Sequence, residues 1–583
     1  MTKPTNDNSR QHDPLVEGEL SKEQAYQTSL WEETSQQPQK ADETAKVETG
    51  TISELQKNPY EIPLKPDNEQ FTDKQWQSVF DGGDNLLVSA SAGSGKTTVL
   101  VRRVIEKLKS GTGIDELLIV TFTEAAAREM KERIQTALSE SLAKESDPKL
   151  QTRYARQLGL LPQANISTLH AFCLTVIRRF YFLIGIDPVF RMLTDETETL
   201  LLKEEVWEEL RETYYASEDE VFYQLVENFS NDRSDDGLTD LVMRLYLFAV
   251  ASPDPQAWLA HLTDNYQTEQ DFSENPLYQQ QIKPQLEATL TLAQAEYAKA
   301  LDMAHAQDDF ANYLDKLQHE IAQAKNLADA LASDDTERFY QQLVSLDLAA
   351  RLMPKRNENK ELSQELLAHR KTGRELLVSL NEVMVCSPAE SLRLMALAQP
   401  LVAKLAQLTG DFMKSYRGRK LEKGLLDFND LEHYTLAILK GDGVTPSVAG
   451  TYYRQKFSEV MVDEYQDVNR LQEAILYQVR QIDPQAHPNR RGNMFMVGDV
   501  KQSIYAFRLA DPTLFIDKYL AFEQQQGGRR IILAENFRSR HEVLDFTNLV
   551  FKQLMDSAVG QIPYDEAAAL IPAFPAFPEV PGF

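Results

Sequence analysis

The sequence predicts an α/β fold, a parallel sheet with a large inserted α-helical domain, on three observations. From about residue 68, short apolar runs alternate with amphipathic helical stretches, the texture of strands covered on both faces. Between about 190 and 420 that texture gives way to long, acidic, Leu/Ala/Gln-rich helical pattern such as "LEATLTLAQAEYAKALDMAHAQ". At Phe457 the strands resume. A chain that leaves and re-enters one texture reads as one domain inserted into another.

In chain order, residues 1–67 are polar, rich in Gln, Thr, Glu and Lys and without a sustained period, and read as a disordered tail. Six runs are candidate strands: "NLLVSA", "ELLIVTFT", "NISTLH", "FSEVMVDE", "NMFMVGD" and "RIILAE". Between the first two, Thr97 to Lys109 reads as a helix, with Leu100, Val104 and Leu108 at i, i+4, i+8 and Val101 and Ile105 beside them. At 583 residues the chain calls for several domains. No run approaches the roughly 20 apolar residues of a membrane span, and the start "MTKPTNDNSRQHDP" has no apolar signal core, so a cytoplasmic protein is expected. Two cysteines, Cys173 and Cys386, give no disulfide framework and no CxxC metal site, and read as small buried hydrophobes.

The net charge of −28 argues against a protein that coats nucleic acid by bulk attraction, but not against a local basic groove. Three basic runs could contribute to one: "RRVIEKLK" (Arg102–Lys109), "KSYRGRKLEK" (Lys414–Lys423) and "GGRR" ending at Arg530. Charge runs are usually solvated faces, so only their neighbourhood gives them meaning.

Chemistry concentrates at strand ends. "ASAGSGKT" fits a phosphate loop with Ala in place of the leading Gly, so Ala90, Ser91, Ala92, Gly93, Ser94, Gly95, Lys96, Thr97 and the following Thr98 are candidate nucleotide contacts. Its backbone N–H groups would face phosphates, Lys96 would reach the β and γ oxygens, and the Thr97 hydroxyl can ligate Mg²⁺. "FSEVMVDEYQD" delivers Asp463, suited to the Mg²⁺ shell, and Glu464, suited to polarise an attacking water; the bland reading is two acids opening a solvated turn. "MFMVGDVKQSIYAFR" carries Gln502, able to orient water or sense a γ-phosphate, then Tyr505, Phe507 and Arg508, either a base-stacking platform or ordinary core aromatics. "LAENFRSR" sets Arg538 past a strand end, as an arginine finger or as a surface ion pair. His170 in "STLHAFC" has no His or Cys at ligand spacing, so a structural or DNA-side hydrogen bond is expected of it rather than a metal.

Together and in this order, these motifs resemble the superfamily 1 helicases of the UvrD/RecB type over about residues 68–583, "DEYQD", "GDVKQSIYAFR" and "NFRS" being specific to that group. The resemblance implies a RecA-like lobe over about 68–190 and 420–541, a helical insertion over about 190–420, and the start of a second lobe over 542–583. It implies that Gln75 in "FTDKQW" reads adenine, that Thr121, Phe122, Thr123 and His170 contact a DNA strand, and that Gln502 and Arg538 approach the γ-phosphate. It also places Tyr505, Phe507 and Arg508 against single-stranded DNA, with ATP and Mg²⁺ as cofactors.

Within the superfamily, "ISTLHAFC", "LLDFNDLEHYTLAIL", "VDEYQDVN" and "YDEAAAL" are most similar to the AddA/RexA family of helicase–nuclease subunits that process double-strand breaks. That likeness implies 3′ to 5′ polarity and an AddB/RexB-type partner in a heterodimer. Beyond the threshold of the second lobe, the rest of that lobe, the last helicase motifs and the "DYK"-bearing exonuclease domain of the family do not occur in the sequence, so the front part of a larger protein is expected. A stand-alone UvrD-like repair helicase and an ATP-binding module without motor activity remain as alternatives.

Overall fold

The computed structural model describes residues 62–230, 234–306, 310–348, 359–441, 446–481, 492–556 and 562–574; the expected tail lies outside the described residues up to position 61. Among the described residues ten strands occur in chain order: β1 (Leu86–Ala90), β2 (Leu117–Thr121), β3 (Asn165–Thr168), β4 (Arg191–Met192), β5 (Leu425–Leu426), β6 (Glu459–Val462), β7 (Met494–Gly498), β8 (Arg529–Leu533), β9 (Glu535–Asn536) and β10 (Ile571–Pro572). Six form one sheet in the order β3-β2-β6-β7-β1-β8, with every neighbouring pair parallel. These are the six runs expected as strands. β2, β6 and β7 are buried along their whole length because helices cover both faces, which is why they read as unbroken apolar runs.

The helix after β1 spans Lys96–Ser110 and buries Leu100, Val104, Ile105 and Leu108, while Val101 stays half-buried. Its Arg103 is 1% exposed and gives Glu459 at the start of β6 two bonds, Nε at 3.0 Å and Nη2 at 2.5 Å. Nη1 donates to the carbonyls of Ser78 (2.8 Å) and Asp81 (2.7 Å), and the guanidinium lies 4.2 Å over the Phe495 ring of β7. One side chain thus fixes this helix against the helix Asp73–Phe80 and two strands.

Past β3 the chain runs out through β4 and returns through β5, which pair as a two-residue parallel ladder, Arg191 with Leu425 and Met192 with Leu426. Between them lie helices, the longest Pro388–Glu422, with two hydrophobic cores of their own. Among the described residues no helix is long and apolar enough to cross a membrane, and no cluster of three or more His, Cys, Asp or Glu could hold a metal ion. Cys173 is buried as expected, whereas Cys386 is half-buried.

Candidate active site and aromatic platform

Because the sheet is parallel, the carboxyl ends of β6, β7, β1 and β8 open side by side, and the turns leaving them carry the candidate residues. Leaving β1, Gly93 (φ +72°) and Gly95 (φ +83°) take left-handed conformations that turn the loop into the helix at Lys96. A Cβ at Gly93 would sit 2.9 Å from Asn536 Nδ2, so the loop and the segment after β8 approach too closely for any other residue. Asn536 fastens them: Nδ2 donates to the Ala92 carbonyl at 2.6 Å, and Oδ1 accepts from the N–H groups of Arg538 and Ser539, both at 2.8 Å. Phe537 N–H adds a bond to the Gly93 carbonyl at 3.0 Å. Arg538 is therefore held beside the phosphate loop with its side chain exposed.

Gln75 is buried on the other side of the loop, its Nε2 donating to the Ser94 carbonyl at 2.9 Å and its Oε1 accepting from Thr72 N–H at 2.9 Å. Both ends of its amide are thus engaged by the loop and by its own helix cap. Ser91 and Ser94 are buried, the Ser94 hydroxyl without a partner; Lys96 and Thr97 are half-buried, and Thr98 is exposed.

Leaving β6, Glu464 sits at φ +52°, a conformation that costs a non-glycine residue free energy and is held by its surroundings. Lys96 Nζ donates to Glu464 Oε2 at 3.1 Å, bringing together residues from β1 and β6. Burial, and then the Glu464 charge, push the Asp463 carboxyl up to about 6, and the same two causes push Asp467 up to about 6. Three carboxyls around one ammonium leave the site short of positive charge. Oxygen donors on Asp463 and Thr97 in such surroundings fit a hard divalent cation, and the left-handed glycines with the orphaned Ser94 hydroxyl fit a phosphate-bearing ligand.

Gln466 is a candidate site residue that the sequence did not single out. It is 1% exposed; Nε2 donates to Glu464 Oε2 at 2.9 Å, and Oε1 accepts from Asp499 N–H at 2.9 Å. Gly498 permits this, since a Cβ there would lie 2.4 Å from Gln466 Oε1. Asp499 in turn takes Gln502 Nε2 at 2.8 Å and Lys501 Nζ at 2.9 Å. Glu464 and the start of the Gln502–Arg508 segment are therefore joined through one amide. Asn536 was missed for the same reason: each is a neutral polar residue inside a motif whose charged members carry the recognisable chemistry.

Beyond Gln502 the aromatics form one cluster. Phe122, from the turn after β2, lies 4.5 Å from Tyr505, and Tyr505 lies 5.7 Å from Phe507. The Arg508 guanidinium is 5.9, 5.6 and 5.9 Å from the rings of Phe122, Tyr505 and Phe507. Phe507 is 77% exposed, so it is not a core aromatic, and an exposed π face backed by a guanidinium can stack a flat ring. Thr121 is buried, donating its hydroxyl to the Thr123 carbonyl, and Thr123 caps the next helix by accepting from Ala126 N–H. Phe122 is the member of that triplet that reaches the cluster. His170 pairs with Glu432 (Nε2 to Oε1, 2.9 Å) and packs on Phe428 at 4.8 Å, apart from the aromatic cluster.

Two of the three basic runs are structural. Arg103 and Lys107 pair with Glu459 and Arg102 with Glu106, while Arg529 pairs with Asp81 (2.8 Å) and Arg530 with Glu523 (2.5 Å).

The family model for the UvrD/REP helicase N-terminal domain matches residues 71–334 and 296–523. The chain is 54% identical over 528 residues to an ATP-dependent helicase/nuclease subunit of Enterococcus faecalis, covering 89% of this chain and 41% of the relative. Proteins of the same name from Levilactobacillus brevis and Latilactobacillus sakei are 46% and 44% identical over 86% of this chain, which spans 40% and 57% of their lengths.

Proposed function

The chain belongs to the UvrD/REP helicase N-terminal domain family, and on that premise we propose that it is the ATP-hydrolysing lobe of a 3′ to 5′ DNA-translocating motor. The observation that carries this reading is the hydrogen-bonded path from Lys96 and Glu464, through Gln466 and Asp499, to Gln502, three residues before Tyr505 in the chain. A nucleotide site built this way has a reason to be wired to a stacking surface.

The loop N–H groups from Gly93 to Thr97 bind the phosphates, and Lys96 moves from Glu464 to the β and γ oxygens. Freed of that cation, Glu464 accepts the proton of the attacking water, while Gln502 orients the water and Arg538 stabilises charge on the leaving side. Thr97 and Asp463 would hold Mg²⁺, which when bound neutralises phosphate charge. Gln75 reads the adenine. Phe122, Tyr505, Phe507 and Arg508 stack bases of a single strand, each stacked base contributing about 1–3 kcal/mol; Thr123 and His170 contribute strand contacts at its border.

The name the relatives carry supports assigning the whole protein to an ATP-dependent helicase–nuclease with a further subunit, and the motif resemblance supports the finer reading of double-strand-break processing in a heterodimer with an AddB/RexB-type protein. The test is the DNA-stimulated ATPase of the intact gene product. Lys96→Ala and Glu464→Gln should each lower turnover by about 100-fold or more while the protein stays folded; unchanged turnover in both would refute the reading.

A further inference from the structure

The basic run Lys414–Lys423 does not behave as one unit. Arg419 pairs with Glu205 and Glu209, Lys423 with Glu205 (3.2 Å), and Lys420 with Asp427 (2.5 Å) and Asp430 (2.6 Å). Lys414 and Arg417, three residues apart on one face of the helix Pro388–Glu422, are both exposed, and neither has a carboxylate within 4 Å among the described residues. The contact Arg417 makes is with the ring face of Tyr434, at 5.6 Å.

Both line a cavity of about 490 Å³ between the helices Asp236–Val250, Pro388–Glu422 and Phe428–Lys440. The carboxylates on its wall are already engaged: Asp411 accepts from the Tyr214 hydroxyl at 2.6 Å, and Asp430 is held by Lys420. Tyr416, also on the wall, is 1% exposed, and its hydroxyl is buried without a hydrogen-bond partner. A buried donor with no acceptor is costly, and two cations without a carboxylate partner lining the same cavity stand out in a chain of net charge −28. An anion with several acceptor oxygens would satisfy all three groups. Asn429 lines the same cavity, and its neighbour Phe428 is 47% exposed and packs on His170, a strand contact of the proposed motor.

We propose that this cavity binds a phosphate of the DNA strand, with Lys414 and Arg417 supplying charge and the Tyr416 hydroxyl a hydrogen bond. The occupant rests on the motor reading; the anion site itself does not. The test is binding of a labelled single-stranded oligonucleotide to the intact gene product across a salt series. Replacing Lys414 and Arg417 together by Gln should weaken binding about tenfold at low salt and flatten the log–log salt slope by about 0.7 for each phosphate left unneutralised. Replacing the paired Arg419 and Lys423 by Gln should leave the slope unchanged. Tyr416→Phe removes a group with no protein partner, so it should lower affinity several-fold without lowering the unfolding midpoint.

A slope unchanged in the Lys414/Arg417 variant overturns the proposal. If the wild-type protein binds no DNA, the motor reading fails with the DNA occupant, and the anion site is then decided by whether inorganic phosphate protects Lys414 from acylation. Protection keeps a free-phosphate site; no protection ends it.

Discussion

The sheet and the helical region each bury an arginine–glutamate clasp of nearly the same geometry, yet the two clasps join very different things. In the sheet, Arg103 gives Glu459 bonds of 3.0 and 2.5 Å; among the helices, Arg370 gives Glu320 bonds of 2.9 and 2.5 Å. The second pair ties the helix Ala311–Ala332 to the helix Lys360–Val383. The first ties the phosphate-loop helix to β6, to the end of the Gln75 helix and to β7, which carry candidate site residues or lead into them. The same chemistry packs helix on helix in one place and, in the other, joins elements that carry or lead into the candidate site.

The largest effect should come from breaking the clasps. Arg103→Met takes the guanidinium from the buried Glu459, which keeps Lys107 at 3.1 Å, and from the Ser78 and Asp81 carbonyls, and should cost about 3–5 kcal/mol in urea unfolding. Adding Glu459→Met should recover only part of that, because the two carbonyls still lack their guanidinium donor and Lys107 then loses Glu459. Among the helices, Arg370→Met with Glu320→Met should leave the ATPase intact, since that pair lies between helices that carry no candidate site residue. Loss of the ATPase in both double variants would show that the clasps do the same work.

Much of the sheet was legible because burial on both faces writes an apolar run, and that signal is local. β4 and β5 were not, since two-residue strands have no period to read. At the site, Lys96, Glu464 and Gln502 could be named from strand-end position, but not the bonds between them: Gln466 meets Asp499 across 33 residues, and Asn536 meets Ala92 across 444. The basic runs show the same limit. A sequence displays the sign of Arg103 and Arg417 equally well, but not that a carboxylate waits for one and a cavity for the other.

A smaller effect, confined to the sheet, should follow from cutting the Gln466 bridge. Gln466→Leu keeps the volume but removes both bonds, so the factor by which DNA stimulates ATP turnover should drop about tenfold. The sharper measurement is a double-mutant cycle with Tyr505→Ala. If the bridge links platform to base, Tyr505→Ala should cost much less once Gln466 is Leu; multiplicative losses would mean the two act separately. Thermal unfolding of each variant keeps a packing defect from passing as lost communication.

The smallest effect separates two buried carboxyls by pH. Burial pushes the Glu459 carboxyl up, but Arg103 and Lys107 outweigh it and hold it at about 2, below its ordinary 4.5. A depressed carboxyl contributes stability that is complete above about 4.5 and is lost as pH falls toward about 2. Asp430, in the helix Phe428–Lys440 that follows β5, goes the other way: burial, then the neighbouring Asp427, push it up to about 6 from 3.8. Ionising it in the folded protein carries a penalty that grows as pH rises from about 4 to about 6 and is fully present above that. Urea midpoints between pH 3.5 and 7.5 should therefore show the deficit of Glu459→Gln shrinking toward the acid end. Over the same range Asp430→Asn should improve relative to wild type as pH rises to about 6. Differences that stay constant across the range would mean that neither carboxyl has the environment its neighbours imply.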